Sequence, residues 1–236
     1  MPCATPLLRH TVIVQHLHHT NGATASNRLR GLYVITDERM GGGHLAMARA
    51  ALLGGASVIQ LRDKPARPRS RADALHLAVE LRRLTHEHNA LFIINDDAEL
   101  ARECGADGVH LGPGDMPVEE ARMLLGSDFI IGASCGTPEE ATAAERDGAT
   151  YIGAGAIFGT STKSDAGDAI GLDALRAIVA ATSLPVAAIG GVNGGNIRST
   201  IEAGAAMACV VSAIGMAGDE NAMIAATRAL VTVAQF

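Results

Sequence analysis

The sequence predicts an α/β protein, a single (β/α)8 TIM barrel, from three observations. Four segments begin Gly-Ala and run into a short apolar stretch: GASVIQLR at Gly55, GADGVHLG at Gly105, GATYIGAG at Gly148 and GAAMACVVS at Gly204. Self-similarity at spacings of 50, 43 and 56 residues points to a repeated supersecondary unit. Four more apolar runs alternate with them: LYVITD (Leu32 to Asp37), LFIIND (Leu91 to Asp96), FIIGAS (Phe129 to Ser134) and PVAAIGG (Pro185 to Gly191). The runs are near-continuously apolar, as parallel strands covered by helices should be.

Amphipathic segments fill the gaps. In 71–88, Leu75, Leu77, Ala78, Leu81 and Leu84 fall near one face, and Leu172 to Ala181 and Glu220 to Ala234 keep the same spacing. Thr137 followed by Glu140 reads as a capping box, and each repeat glycine stands where a helix ends. Eight strand–helix pairs fit a closed barrel, and the GxGxxG turn of an open dinucleotide-binding sheet is missing.

Composition narrows the chemistry. The chain has 236 residues, 48% of them hydrophobic, enough for one barrel domain over 29–236. A net charge of −6 argues against nucleic acid as a partner. The run 203–218 is too short and too rich in Gly and Ala to span a membrane. Four cysteines without CxxC spacing suggest neither zinc cluster nor disulfide scaffold, which fits a reducing, cytoplasmic setting. Residues 1–28, with His10, His16, His18 and His19, read as an N-terminal extension, expected to be disordered.

In such a barrel chemistry collects at the C-terminal ends of the strands. There the sequence puts Gln60-Leu61-Arg62-Asp63-Lys64, Asn95-Asp96-Asp97, His110, Asp115, Ser134, Gly190-Gly191 and Val211-Ser212. The run after strand 6, GTSTKSDAGD (Gly159 to Asp168), adds three hydroxyls and Lys163. Alone, Thr160 to Lys163 is a solvated loop, Arg62 and Lys64 are surface cations, and Asp96, Asp97 or Asp115 caps a helix. Jointly, cations and separated carboxylates suit Mg²⁺ with a phosphorylated ligand, and Gly-Gly after strand 7 suits a backbone phosphate site. Asp97, one residue past Asp96, should point the other way in an extended strand and cap the next helix. His110, within strand 4, reads as structural, and Cys135 as incidental.

From about Leu32 to Ile214 the chain resembles the thiamine-phosphate synthase family, through LYVITD, QLRDK, IND, GVHLGPGDMP, IGAS, TSTK, AIGGV and VVSAI. The resemblance implies a transferase of thiamine biosynthesis. It would join hydroxymethylpyrimidine diphosphate to hydroxyethylthiazole phosphate, giving thiamine phosphate and diphosphate after Mg²⁺-assisted dissociative loss of the leaving group. It implies that Gln60, Arg62, Lys64, Asn95, Ser134 and Lys163 hold the pyrimidine diphosphate, with Arg62, Lys64, Lys163 and Ser134 serving the chemical step. Asp96 and Asp115 would hold the metal, and Thr160, Thr162, Gly191, Val211 and Ser212 the thiazole phosphate. The chain departs from the family pattern at Pro113, where a Gln is usual, and near Ala156 and Gly159, where prolines are usual. Rival readings are a thiazole tautomerase of the same fold, which would need an acid–base residue, and a regulatory barrel that binds the phosphates without turnover. The expected partners are the two small molecules, with room for a homodimer.

Overall fold

In the computed structural model, residues 28–65, 67, 69–160 and 167–236 are described. Eight parallel strands close a barrel in chain order: β1 (Gly31–Thr36), β2 (Val58–Leu61), β3 (Leu91–Asn95), β4 (Gly108–Leu111), β5 (Ile130–Cys135), β6 (Tyr151–Ala154), β7 (Val186–Ala188) and β8 (Met207–Val210). The seam between β1 and β8 pairs Gly31 with Met207 and Val34 with Val210. β6 is shorter than the apolar run YIGAGAIF (Tyr151 to Phe158) that predicts it. After Ala154 the chain leaves the barrel wall, and Ile157 and Phe158 donate their N–H groups to Ile189 O and Gly190 O at 2.8 and 3.0 Å. The second half of YIGAGAIF therefore lines the mouth over β7 instead of lengthening β6.

Because each wall has two buried faces, alternate residues enter different cores. Tyr33, Ile35, Val58, Leu91, Ile93, Ile130, Tyr151, Ala187, Met207 and Cys209 pack together inside the barrel. Their neighbours Leu32, Val34, Ile59, Phe92, Ile94 and Ile131 pack outward against helices. The same parity carries Gln60, Asn95, His110 and Ser134 to the inner face at the C-terminal ends of β2 to β5, which is how packing positions a site.

The helices of the described residues are α1 (His44–Gly54), α2 (Arg71–Glu87), α3 (Ala98–Cys104), α4 (Val118–Leu125), α5 (Pro138–Arg146), α6 (Gly171–Ala181), α7 (Ile197–Glu202), α8 (Ser212–Gly215) and α9 (Glu220–Ala234). In α2, Ala78, Leu81 and Leu84 are buried as the spacing predicts, while Leu75 and Leu77 are only partly covered. Gly55 and Gly105 end α1 and α3 in the left-handed conformation, at φ +101° and +67°, where a side chain is disfavoured. That turn returns each helix to the next strand, which explains the Gly-Ala repeat. The capping box at Thr137 forms by half: Thr137 Oγ1 accepts from Glu140 N at 3.2 Å, but Glu140 Oε2 takes the N–H of Gly136, not that of Thr137.

α1 and α9 pack side by side and close the outer ring next to the β1–β8 seam. Their approach depends on Gly54, whose added Cβ would stand 2.3 Å from Thr227 Cβ and 3.0 Å from Ile224 O. Gly54→Ala is expected to cost about 1–3 kcal/mol through overpacking, although alanine is the better helix former. Urea unfolding measures it, and a variant as stable as the parent would show that the two helices separate freely.

Candidate active site at the C-terminal mouth

A chain of buried polar groups crosses the mouth. Gln60 Nε2 donates to Tyr33 Oη at 2.8 Å, Tyr33 Oη meets Tyr151 Oη at 2.9 Å, and Tyr151 Oη meets His110 Nδ1 at 2.9 Å. His110 Nε2 lies 3.0 Å from Ser134 Oγ. Burial pushes both tyrosine hydroxyls well above their ordinary pKa, so both keep their protons. With Gln60 Nε2 toward Tyr33, one direction satisfies every group in the line. Tyr33 accepts from Gln60, and its own proton has Tyr151 as its acceptor among the described residues. Tyr151 then donates to His110 Nδ1, and His110 Nε2–H donates to Ser134. The result is a neutral imidazole with its proton on Nε2 and a Ser134 hydroxyl whose proton is left to donate elsewhere.

Small residues make room for these rings. A Cβ on Gly132 would stand 2.1 Å from Tyr151 Cζ, and one on Gly153 2.7 Å from His110 Cε1. Beside them lies a small open cleft lined by Tyr33, Ile35, Gln60, His110, Tyr151, Gly153, Ala187, Ile189 and Cys209. Its walls are mainly apolar, with a few convergent polar groups. His110 is thus a lining residue bonded to Ser134. Cys135 is buried and its thiol is pushed up to about 12, mainly by burial, so it remains protonated.

Charges gather on one side of the cavity. Lys64 Nζ lies 2.6 Å from Asp96 Oδ2. Asp115 Oδ2 accepts from Gly112 N at 2.7 Å, and burial, with the nearby Asp96 carboxylate, raises its pKa. Asp96 and Asp115 therefore converge, as the motifs suggest, and two close carboxylates beside an ammonium form a donor set that fits a hard divalent cation. Asp97 caps α3 by accepting from Leu100 N at 2.7 Å and pairs with Arg71 at 2.5 Å. The reason differs from strand alternation: β3 ends at Asn95, and Asp96 turns the chain at φ +67° while its N–H donates to His110 O at 2.8 Å. Aspartate tolerates this region better than most residues. Asp115 caps no helix, because α4 begins after Pro117 without a side-chain cap.

Arg62 is aimed by a residue that motif reading passed over. Asp37, 5% exposed just past β1, lies 4.0 Å from Arg62 and 2.6 Å from Arg39. The Arg39 guanidinium hydrogen-bonded to it holds the Asp37 pKa down at about 2.

The opposite side is backbone-rich. Gly190 and Gly191 have φ +98° and +64°, and a Cβ on Gly191 would meet Gly159 O at 2.6 Å. Thr160, Gly191, Val211 and Ser212 are all half-buried, and Val211 and Ser212 lead into the single turn of α8. Thr162 and Lys163, assigned to the thiazole phosphate and the leaving diphosphate, lie outside the described residues.

The family model described as thiamine monophosphate synthase matches residues 32–214, which span every strand but the first residue of β1. The chain belongs to this family. Similar proteins include the thiamine-phosphate synthase of Moorella thermoacetica, 45% identical over 208 residues covering 86% of this chain and 97% of that one. The thiamine-phosphate synthase of Methanoculleus marisnigri is 46% identical over 206 residues, with 86% and 96% covered. Among solved structures, the thiamine phosphate pyrophosphorylase of Pyrococcus furiosus superposes with a TM-score of 0.80 at 41% identity, covering 89% of this chain and 97% of that one. Motif reading of the family missed Tyr33, Tyr151 and Asp37. The available signal was parity: Tyr33 and Tyr151 are the chain's two tyrosines, and both sit at inward positions of apolar strands.

Asp37 makes a pH-dependent contribution of known sign. Its folded pKa is depressed, so its stabilisation is present above the unfolded carboxylate value and is lost as pH falls through about 2. Screening around the exposed Arg39 reduces the effect to about 1–2 kcal/mol. Asp37→Asn is expected to be less stable than the parent by that amount at pH 7, with the gap shrinking below pH ~4. Urea titrations across this range check it; a gap that stays constant to the lowest pH would exclude the Asp37 charge as its cause.

Proposed function

We propose that this chain makes thiamine phosphate by joining hydroxymethylpyrimidine diphosphate to hydroxyethylthiazole phosphate. Membership of the family supports the reaction, and the mouth supports the substrate class. Gln60 Oε1 offers an acceptor and the Ser134 hydroxyl a donor, both held by the chain through Tyr33, Tyr151 and His110. An aminopyrimidine, with an exocyclic N–H and ring nitrogens around its rim, offers partners to both. The hydrogen-bonded line from Gln60 through Tyr33, Tyr151 and His110 to Ser134 is the observation that carries the reading.

In the reaction the methylene C–O bond breaks with its electron pair leaving on diphosphate, and the thiazole nitrogen lone pair forms the new C–N bond. The electron-rich aminopyrimidine spreads the positive charge that develops on the methylene carbon. Arg62 and Lys64, beside Asp37 and Asp96, would neutralise the departing diphosphate, a role that Lys163 shares by resemblance. Asp96 and Asp115 would hold Mg²⁺, which when bound supplies further positive charge at the diphosphate oxygens. Asn95 lies on the inner face beside them, and Thr160, Thr162, Gly191, Val211 and Ser212 would bind the thiazole phosphate. The apolar walls keep water from the cationic carbon. A cytoplasmic setting and a homodimer belong to the same proposal.

Incubating the protein with both substrates and Mg²⁺ is expected to give thiamine phosphate by mass, with one diphosphate released per product. Isomerisation of the thiazole alone, or binding without turnover, would overturn the reading in favour of a tautomerase or a regulatory barrel. Asp96→Asn and Asp115→Asn are each expected to raise the Mg²⁺ requirement by at least the ~10-fold that losing even an outer-shell partner costs. Asp97→Asn should leave it almost unchanged, since asparagine also caps α3. Activity titrated against Mg²⁺ distinguishes the three, and an Asp97→Asn variant with the greatest requirement would move the metal site.

A further inference from the structure

A second group of ligand-type side chains stands behind the mouth. Glu38 from the loop after β1, His44 at the start of α1 and Asp63 from the loop after β2 bring one ligand atom each within 4.8 Å of one another. The imidazole shows why the group is unusual. Thr36 Oγ1 reaches Gln60 O at 3.1 Å, and with its proton there His44 Nδ1, 2.8 Å from Thr36 Oγ1, donates to that hydroxyl. In the neutral ring Nε2 is then a bare lone pair. The His44 side chain is 2% exposed, and its Nε2 has no hydrogen-bond partner although Asp63 Oδ1 is 3.4 Å away. A buried ring nitrogen without a partner thus faces a carboxylate oxygen that Arg69 Nε reaches from the other side at 3.1 Å, and a cation between nitrogen and oxygen would satisfy both.

We propose that Glu38, His44 and Asp63 bind a divalent transition-metal ion of the zinc class, separate from the Asp96–Asp115 pair, and that Arg69 is the internal cation it displaces. The 3.4 Å between Nε2 and Oδ1 is about the edge of a tetrahedron with metal–ligand bonds of ~2.0–2.1 Å. One imidazole and two carboxylates, with a fourth position for water, suit such an ion better than Mg²⁺, which prefers oxygen throughout. The Nδ1–H held by Thr36 is the outer contact that orients a metal-bound histidine. Arg69 bridges the two carboxylates, with Nε 2.9 and 3.1 Å from Asp63 Oδ2 and Oδ1 and a terminal nitrogen 2.5 Å from Glu38 Oε1. It is partly exposed and can swing outward, whereas His44 cannot turn away. An ion here would staple the loops after β1 and β2, and the second loop carries Arg62 and Lys64.

Co²⁺ added to the full chain in excess Mg²⁺ is the probe, since Mg²⁺ keeps the all-oxygen pair occupied. Binding is read as the difference from Glu38→Gln, which leaves the N-terminal histidines in place and alters an exposed side chain. The wild type is expected to bind one more Co²⁺ per chain than Glu38→Gln, with the visible absorption of a four-coordinate centre. His44→Gln should lose that absorption, Arg69→Met should tighten binding at least ~10-fold, and Asp96→Asn should change neither. If His44→Gln does not fold, Glu38→Gln and Arg69→Met carry the test. Equal binding by wild type and Glu38→Gln, a six-coordinate spectrum, unchanged or weaker binding by Arg69→Met, or loss of the signal in Asp96→Asn would each overturn the site.

Discussion

The mouth of this barrel depends on a chain of hydrogen bonds whose direction follows from the placement of the Gln60 amide. Two tyrosines inside a closed β-barrel are expensive unless each hydroxyl both gives and receives. Tyr33 and Tyr151 solve this with each other, and Gln60 and His110 complete the line at either end. Because Gln60 starts the chain as a donor, the histidine tautomer and the Ser134 proton are set by groups several ångströms away. A pocket that would otherwise present rotatable hydroxyls and an ambiguous amide therefore presents one pattern of donors and acceptors. Such preorganisation removes reorganisation at the moment of reaction.

Charge is arranged around that frame by a different device. The net charge is −6, so no general field draws an anionic substrate in. Local pairs do the positioning: Asp37 beside Arg62, Asp96 beside Lys64, and Asp63 held by Arg69. The cations each have a carboxylate to aim them, and the carboxylates of Asp96 and Asp115 crowd each other enough to raise Asp115. This is the electrostatic setting in which a divalent cation and a diphosphate offset one another.

Most of the architecture was legible in the chain because it follows from local rules. The Gly-Ala repeat reports left-handed helix ends, and apolar runs report strands covered on both faces. The TM-score of 0.80 to the Pyrococcus furiosus pyrophosphorylase agrees with the barrel that these signals imply. Boundaries were less legible where the chain changes direction for tertiary reasons, as after Ala154, where backbone bonds to Ile189 and Gly190 replace the β6 ladder. Gln60, Asn95, Ser134, Asp96 and Asp115 could be named from motifs at strand ends. Tyr33, Tyr151 and the part played by His110 could not, because an aromatic residue in an apolar strand looks like core until its cross-barrel partner is known. The partners of Tyr151 lie 118 and 41 residues away, and no local pattern records such a pairing.

The central claim is that the buried chain fixes His110 as the neutral tautomer protonated on Nε2. Nitrogen-15 NMR of the imidazole, with His110 assigned by comparison with a His110→Gln variant, reads the tautomer directly. The account expects Nδ1 at the shift of an unprotonated ring nitrogen and Nε2 at that of a protonated one near pH 7, with the populations equalising in Tyr33→Phe as the directing proton is lost. A His110 protonated on Nδ1 in the wild type would reverse every donor in the chain and contradict the assignment of Ser134 as the donor to substrate.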